Sequence, residues 1–514
     1  MSIALLLDIA ASTAYERVVL GSRENGFSLH TLSKLATGGA GVVRRSGART
    51  VVFLGANSAA FPVAVFAAAR AGVPIAPLNY RLSATQLVGL IDKLEGPLVI
   101  ADRRQRAELA NWGGGPVLDS QEWLAQAEAG SVEAAGEPLL SAETDGPAIL
   151  LFTSGTTSAP KCVVLRHEHL LAYVLETVEP ASAAETDAAL VSVPPYHVAG
   201  TAAVLTNIYA GRRVLYLEKF TPSAWLNLVA SEEITSAMLV PTMLARIIDH
   251  LGDTQAAVPS LRSLAYGGAR LPQPVLERAL RLFPTVDFVN GYGLTETSST
   301  IAVLGPDDHR AAIAADAPAI RARLSSVGRL VSGVEGQIRS PEGAVLGPGD
   351  PGELWVRGRQ ISGEYIETGS TLDADGWFRT KDRAWFDADG YLFVEGRMDD
   401  TIIRGGENIA PAEIEDVLLD HPEVREAAVV GQLDEEWGER VVAFIVPTQW
   451  PAPAAEQLRD WVRQRLRSSK MPDDIHYRDE LPHTDTGKLL RRELIRGLAS
   501  PVTGHRTALS KEQL

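Results

Sequence analysis

From about residue 50, short β-rich runs alternate with longer helical ones, and that rhythm constrains the fold more than any other feature of the chain. Residues 51–54 read as a buried strand, 59–70 as a helix, 74–78 as a strand, 84–94 as a helix and 98–101 as a strand. Strands that alternate with helices pair in parallel, because each crossover returns the chain to the same end of the sheet. The pattern resumes with strands at 190–193, 214–217, 238–240 and 287–290, and with helices between them such as 224–230. Near residue 335 the texture changes. Short alternating runs at 336–339, 353–357 and 391–394, separated by Gly and Asp, predict a smaller, mostly antiparallel β unit.

A second change follows Gly396. A helix at 412–419 starts after Pro411, a residue suited to a first helical turn, and strands at 427–430 and 441–446 precede a helix at 458–466. The expected fold is α/β. A large N-terminal domain, residues 1–396, has helix-covered, mainly parallel sheets plus the small β unit. A small α+β C-terminal domain follows in residues 397–514. Its length of about 115 residues is ordinary for a domain. The residues beyond about 500 read as a polar, frayed end.

Composition limits what such a fold can serve. The 514 residues are 46% hydrophobic and 22% charged, enough for several cores. The net charge of −16 repels nucleic acid, so a polyanionic ligand must bind in a local pocket rather than on a basic face. One cysteine, Cys162, excludes an internal disulfide and a Cys-based zinc site, and fits a reducing compartment. The first residues lack a basic leader, and Asp8 interrupts their apolar run, so no signal peptide is expected. The most apolar stretch, 59–69, is shorter than the roughly 18 residues that span a bilayer. These readings predict a cytoplasmic protein without integral membrane association and without nucleic-acid partners.

One polar loop carries chemistry on its face. Thr153, Ser154, Gly155, Thr156, Thr157, Ser158, Ala159, Pro160 and Lys161 follow the apolar run 148–152. Backbone N–H groups and hydroxyls in such a loop can wrap a polyphosphate, with the lysine adding positive charge. It is not a Walker A loop, because Lys161 stands between Pro160 and Cys162 rather than in Gly-Lys-[Ser/Thr].

Five further segments follow it, each with a plain structural reading as well. His197 sits in a loop, 194–200, after a strand. Gly267 and Gly268 end a strand, where they let a flat ring lie against the backbone or simply make a turn. The run 291–297 also follows a strand. There a tyrosine can pack on a base, a threonine can bond a phosphate oxygen and a glutamate can hold magnesium. Segments 377–382 and 396–400 flank the β unit as surface turns, or offer an Asp to ribose hydroxyls. Lys488 stands in a flexible loop ahead of a basic helix, 489–494.

In this order the six segments resemble the adenylate-forming superfamily, which includes acyl- and aryl-CoA synthetases, firefly luciferase and peptide-synthetase adenylation domains. The resemblance runs from about Leu29 to Leu494, and the segment 405–415 looks especially like that of CoA ligases. It implies roles by position. Thr153, Ser154, Gly155, Thr156, Thr157 and Lys161 would hold the β- and γ-phosphates of ATP. Gly267, Gly268, Ala269 and Tyr292 would frame the adenine, with Gly293 beside them. Thr295 would contact the α-phosphate, Glu296 would bind Mg2+, and Asp382 would hold the ribose with help from Arg397. Lys488, on a mobile C-terminal domain, would reach the α-phosphate, and Asp399 would be the hinge. His197 would lie near the acyl carboxylate, completing a catalytic set with Lys488, Thr295 and Glu296. Tyr196, His197, Gly200, Thr201 and Gly291 would shape the acyl pocket, and Gly405 and Gly406 would line the channel for CoA.

The implied reaction joins a hydrophobic carboxylic acid to AMP and passes the acyl group to CoA. Transfer to an acyl carrier protein, a luciferase-type oxygenase and a non-catalytic ATP-binding relative are the other readings. A built-in carrier domain is not expected, since the chain ends soon after Lys488. Three positions depart from the usual pattern. Ser158, Cys162 and Lys381 replace glycines, which predicts a phosphate loop held differently and a new cation, or a solvent-facing one, beside Asp382.

Overall fold

The computed structural model describes residues 1–133, 145–153, 160–484 and 487–499. Two large sheets organise the N-terminal part. In the eight-stranded sheet, Thr50–Leu54 pairs in parallel with Ile75–Pro77 and Pro97–Ala101. Pro147–Thr153 joins the parallel run, and Lys161–Arg166 turns back antiparallel beside it. The nine-stranded sheet holds a parallel run through Asp287–Leu294, Ser263–Gly267, Ser236–Leu239, Ala188–Val191, Arg213–Tyr216 and Val18–Leu20. Antiparallel strands close its edges. This is the mainly parallel α/β architecture expected from the alternating pattern.

Helices fill the space between the two sheets. One apolar cluster joins Val51 and Phe53 of the first sheet to Val191 and Val214 of the second. Helix Ala60–Ala71 runs through it with residues 60–70 all buried. Its alanines, valines and phenylalanines leave no polar face, which suits burial on every side. Arg70 ends that helix at 5% exposure, bonded to Asp8, Ser33 and Thr37. A charge so deep is tolerable only when paired in this way.

The expected antiparallel unit is a four-stranded sheet of Val334–Arg339, Gly352–Gly358, Phe378–Phe386 and Leu392–Arg397. The C-terminal part is a separate α+β layer. In strand Gly438–Pro447, Val441, Ala443 and Ile445 meet helices Pro411–Leu419 and Ala455–Arg463, while Val442, Phe444 and Val446 face Leu494 of helix Arg491–Ala499. The period-two alternation of a strand thus buries both faces of this sheet. Among the described residues, no helix is long and apolar enough to cross a membrane.

Several expected turns are strands instead. Residues 291–294 continue strand Asp287–Leu294 and pair antiparallel with Ser299–Leu304. Residues 378–382 and 396–397 also lie inside ladders. Their Gly- and Asp-rich composition reads as turn, but neighbouring strands supply the backbone bonds and override it. The expected 489–494 helix begins only at Arg491. The Thr484 N–H bonds the Lys488 carbonyl at 2.8 Å and the Lys488 N–H bonds the Thr484 hydroxyl at 3.0 Å, which closes a tight loop first.

Candidate active site

A cavity of about 500 Å³ opens where the parallel strands of both sheets end. Residues at or just beyond the carboxyl ends of Pro147–Thr153, Ser236–Leu239 and Ser263–Gly267 line it. This is the place where open α/β sheets bind ligands, because the crossovers leave a crevice there. Gly267 is required by packing: an added Cβ would lie 2.2 Å from the Gly291 carbonyl oxygen. At Gly291 an added Cβ would meet only the Thr300 side chain, at 3.4 Å, an ordinary contact. Gly291 therefore leaves space open on the cavity wall rather than relieving a clash.

Behind one wall lies a closed polar network. Asp382 is 4% exposed and takes two partners on two strands. The Tyr292 hydroxyl donates to its Oδ2 at 2.5 Å, and Arg397 Nη1 donates to its Oδ1 at 2.9 Å. Arg397 also donates to the Thr380 carbonyl at 3.0 Å. Burial first, then the Asp382 carboxylate, lifts the Tyr292 phenol well above its ordinary value, so it remains a donor. Burial works against the Arg397 guanidinium, but the Asp382 carboxylate outweighs it and holds Arg397 above its ordinary value. Arg397 lines the cavity, while Tyr292 and Asp382 stand one layer behind.

Glu296 occupies the short 3₁₀ turn Thr295–Thr297 and lines the cavity with Thr295. The Tyr365 hydroxyl donates to its Oε1 at 2.6 Å, and the backbone N–H groups of Ser362 and Gly363 hold its main-chain carbonyl. Burial and the neighbouring carboxylate raise the Tyr365 phenol, so it too stays protonated. Lys161 lies 5.5 Å from the Tyr365 ring centre, which brings a cation to the same wall.

Lys488 enters from the C-terminal domain. Its side chain is open to the solvent of the cavity, yet the surrounding protein lowers its basicity and nearby Arg397 lowers it further, against Asp382, Asp400 and Glu296. Thr153, His197, Gly268 and Gly293 complete the predicted residues on the lining. His197 immediately precedes helix Val198–Tyr209, and its ring stands 4.7 Å from that of Tyr196, which also lines the cavity.

Other predicted positions lie elsewhere. An added Cβ at Gly200 would lie 2.4 Å from the Pro194 carbonyl oxygen, so it serves close packing, and Thr201 is fully buried behind it. Val198 and Ala199 form that part of the wall instead. Ala269 follows Gly268 off the lining. Gly405 and Gly406 make the turn between Ile402–Arg404 and Glu407–Ile409, with Gly405 against Trp437. Asp399 sits in the turn Met398–Asp400. Ser154, Gly155, Thr156, Thr157 and Ser158 lie outside the described residues.

The AMP-binding enzyme family profile matches residues 10–366, and the profile of the family's C-terminal domain matches 413–488. The chain belongs to the AMP-binding enzymes. Feruloyl-CoA synthase of Amycolatopsis sp is 32% identical to it over 471 residues, covering 90% of this chain and 92% of that one. A fatty acid–[acyl-carrier-protein] ligase of Streptomyces coeruleorubidus is 32% identical over 460 residues, 86% of each. Among solved structures, o-succinylbenzoate CoA synthetase of Bacillus subtilis with an acyl-adenylate intermediate superposes with a TM-score of 0.81 at 29% identity, covering 95% of this chain and 97% of that one.

Two departures of this AMP-binding enzyme resolve differently. Cys162 sits in extended backbone within strand Lys161–Arg166 and is 1% exposed, so no glycine is needed there. Burial, then Glu367, pushes its thiol up to about 12, which leaves it inert. Lys381 instead holds φ at +62°, a left-handed conformation that costs a side-chain-bearing residue about 1 kcal/mol. Its exposed side chain lines the cavity. Tyr365 escaped the sequence reading, because it meets Glu296 across a distance that no local pattern records.

Proposed function

We propose that this enzyme activates a hydrophobic carboxylic acid with ATP and then transfers the acyl group to coenzyme A. One observation carries the reading: Glu296 from the large domain and Lys488 from the small one reach a single cavity, backed by the Tyr292–Asp382–Arg397 network. In the first step the substrate carboxylate oxygen attacks the α-phosphorus, and the bond to pyrophosphate breaks. In the second the thiol sulfur attacks the acyl carbon, the thiol proton leaves, and AMP departs with the acyl–oxygen bond electrons.

The residues divide this work. Arg397 meets the ribose on the wall with Asp382 directly behind it for the ribose hydroxyls, and Gly267 and Gly268 border the base with Tyr292 behind them. Thr295 and Lys488 meet the α-phosphate, where negative charge gathers in the transition state. Thr153 and Lys161, the two described ends of the phosphate loop, face the pyrophosphate. Among the described residues no cluster of three or more His, Cys, Asp or Glu groups forms a metal cage. Glu296 fits Mg2+ held by one carboxylate and the ATP phosphates, its usual arrangement. When bound, that ion supplies charge neutralisation at the phosphates. Tyr196, His197 and Gly291 border the acid. Gly405 and Gly406 border the pantetheine after the small domain, residues 397–514, has turned about Asp399. A buried, unreactive lone cysteine suits a reducing cytoplasm.

A screen of carboxylic acids by ATP–pyrophosphate exchange, with CoA-thioester formation measured on the same preparation, tests this. Exchange and thioester formation with the same hydrophobic acids is the expected result. Exchange without a CoA thioester would favour transfer to a carrier protein, the activity named for the Streptomyces coeruleorubidus relative. No exchange with any acid would leave a non-catalytic nucleotide-binding relative. For the hinge, Asp399→Pro should slow thioester formation more than exchange, and an unchanged ratio of the two would count against a pivot there.

A further inference from the structure

The seam between the two domains carries a clamp that neither half-reaction uses directly. Arg270 follows the Gly267–Ala269 segment on the large domain. One of its N–H groups donates to the Ala412 carbonyl oxygen at 3.0 Å and another to the Asp416 carboxylate. Ala412 and Asp416 stand four residues apart on helix Pro411–Leu419 of the small domain. They share one helix face, and the planar guanidinium spans both.

That helix is tied to the Lys488 loop. Glu415, beside Asp416 and 8% exposed, accepts from the Val429 N–H at 2.7 Å and from Arg491 Nη2 at 2.5 Å. Arg491 begins the helix that follows Lys488. Arg270 therefore grips, through one helix, the base on which the lysine loop is built. A second seam contact agrees. Gly487 holds φ at +77°, and an added Cβ would lie 2.2 Å from Thr242 Oγ1 on helix Pro241–Leu251 of the large domain.

We infer that Arg270 is a positioning residue for Lys488: its hold on Ala412 and Asp416 keeps the small domain in the orientation that places the lysine in the cavity, and its release accompanies the second half-reaction. The inference rests on the proposed two-step reaction. Strength favours it. Both partners of the Arg270–Asp416 pair are more than a third exposed, and a pair so wet contributes little to folding. A weak contact is what a reversible turn needs, because it biases two orientations without trapping one.

Arg270→Ala and Asp416→Asn test it. Each should slow pyrophosphate exchange about fivefold, the upper end for a half-exposed pair, and leave thioester formation from supplied acyl-AMP within about twofold. Combining the two should add little to either alone, because both remove the same contact. Arg270→Lys keeps the charge but not the fork and should fall between. A second readout needs no turnover. Cys162 is buried, so dyes on one introduced surface cysteine per domain report the interdomain distance by energy transfer. That distribution should broaden to longer distances in both variants. Equal loss in the two half-reactions, or a distribution unchanged from wild type, would overturn the clamp. A wild-type enzyme that exchanges nothing would instead sink the proposed reaction, with the dye distances still testing the clamp.

Discussion

The Tyr292–Asp382–Arg397 wall of the large domain and the Lys488 loop of the small domain meet at one cavity, but they are held in opposite ways. The wall is anchored from behind by buried bonds. Asp382 is fixed by Tyr292 and Arg397, and Arg397 by the Thr380 carbonyl. Lys488 is exposed, its backbone is bonded to Thr484, and its domain is steadied by the half-exposed Arg270 clamp. The difference fits the proposed reaction, in which groups that hold the nucleotide through both steps can be locked, whereas a cation used in one step must be able to leave.

Removing the Lys488 ammonium should give the largest effect. Lys488→Ala should lower pyrophosphate exchange by about 100-fold or more, as loss of a transition-state donor does, without shifting the melting temperature. Thioester formation from supplied acyl-AMP should survive. Equal loss of both steps would erase the contrast between wall and loop. The wall should answer differently. Asp382→Asn keeps the shape but removes the buried carboxylate that accepts from Tyr292 and the half-buried Arg397. It should cost about 2 kcal/mol of stability, seen as a lower melting temperature, and raise the KM for ATP.

The pH profile sharpens the same comparison. Lys488 is acidified by its surroundings, so its ammonium is lost below the ordinary lysine value of 10.5. Below that midpoint the charge is present and adenylation runs; above it the charge is gone. The kcat/KM of exchange should therefore fall on the alkaline side earlier than an ordinary lysine would predict, and Lys488→Ala should abolish that limb. The smallest effect belongs to the wall's strained neighbour. Lys381→Gly should relieve the left-handed backbone and raise stability by about 0.5–1 kcal/mol in thermal or denaturant melts. A loss of stability would mean that the lysine side chain holds the wall together.

Local patterns alone leave Asp382 and Lys488 as ordinary surface residues. Only the order of six segments, through the family resemblance, singles them out with Glu296, and the structure brings the three to one cavity or directly behind it. The segments around them misled where composition and pairing disagree. Residues 291–294 and 378–382 read as turns, yet each lies in a ladder whose partner strand comes from elsewhere. Gly200 is expected at the acyl pocket from the resemblance, while the structure uses its smallness against Pro194. Cys162 read as a lost glycine, and its extended backbone shows that none was needed.

By itself, the order of strands and helices determined the α/β class and the two-part division, because periodicity is a property of the chain alone, and the order of motif segments carried the resemblance to the family. Only the tertiary structure decided that Tyr365 bonds Glu296, that Lys381 is strained, and that Arg270 holds the helix supporting the lysine loop. Those facts depend on residues separated by tens to hundreds of positions meeting in space, and burial and hydrogen bonding act on that meeting rather than on sequence neighbours.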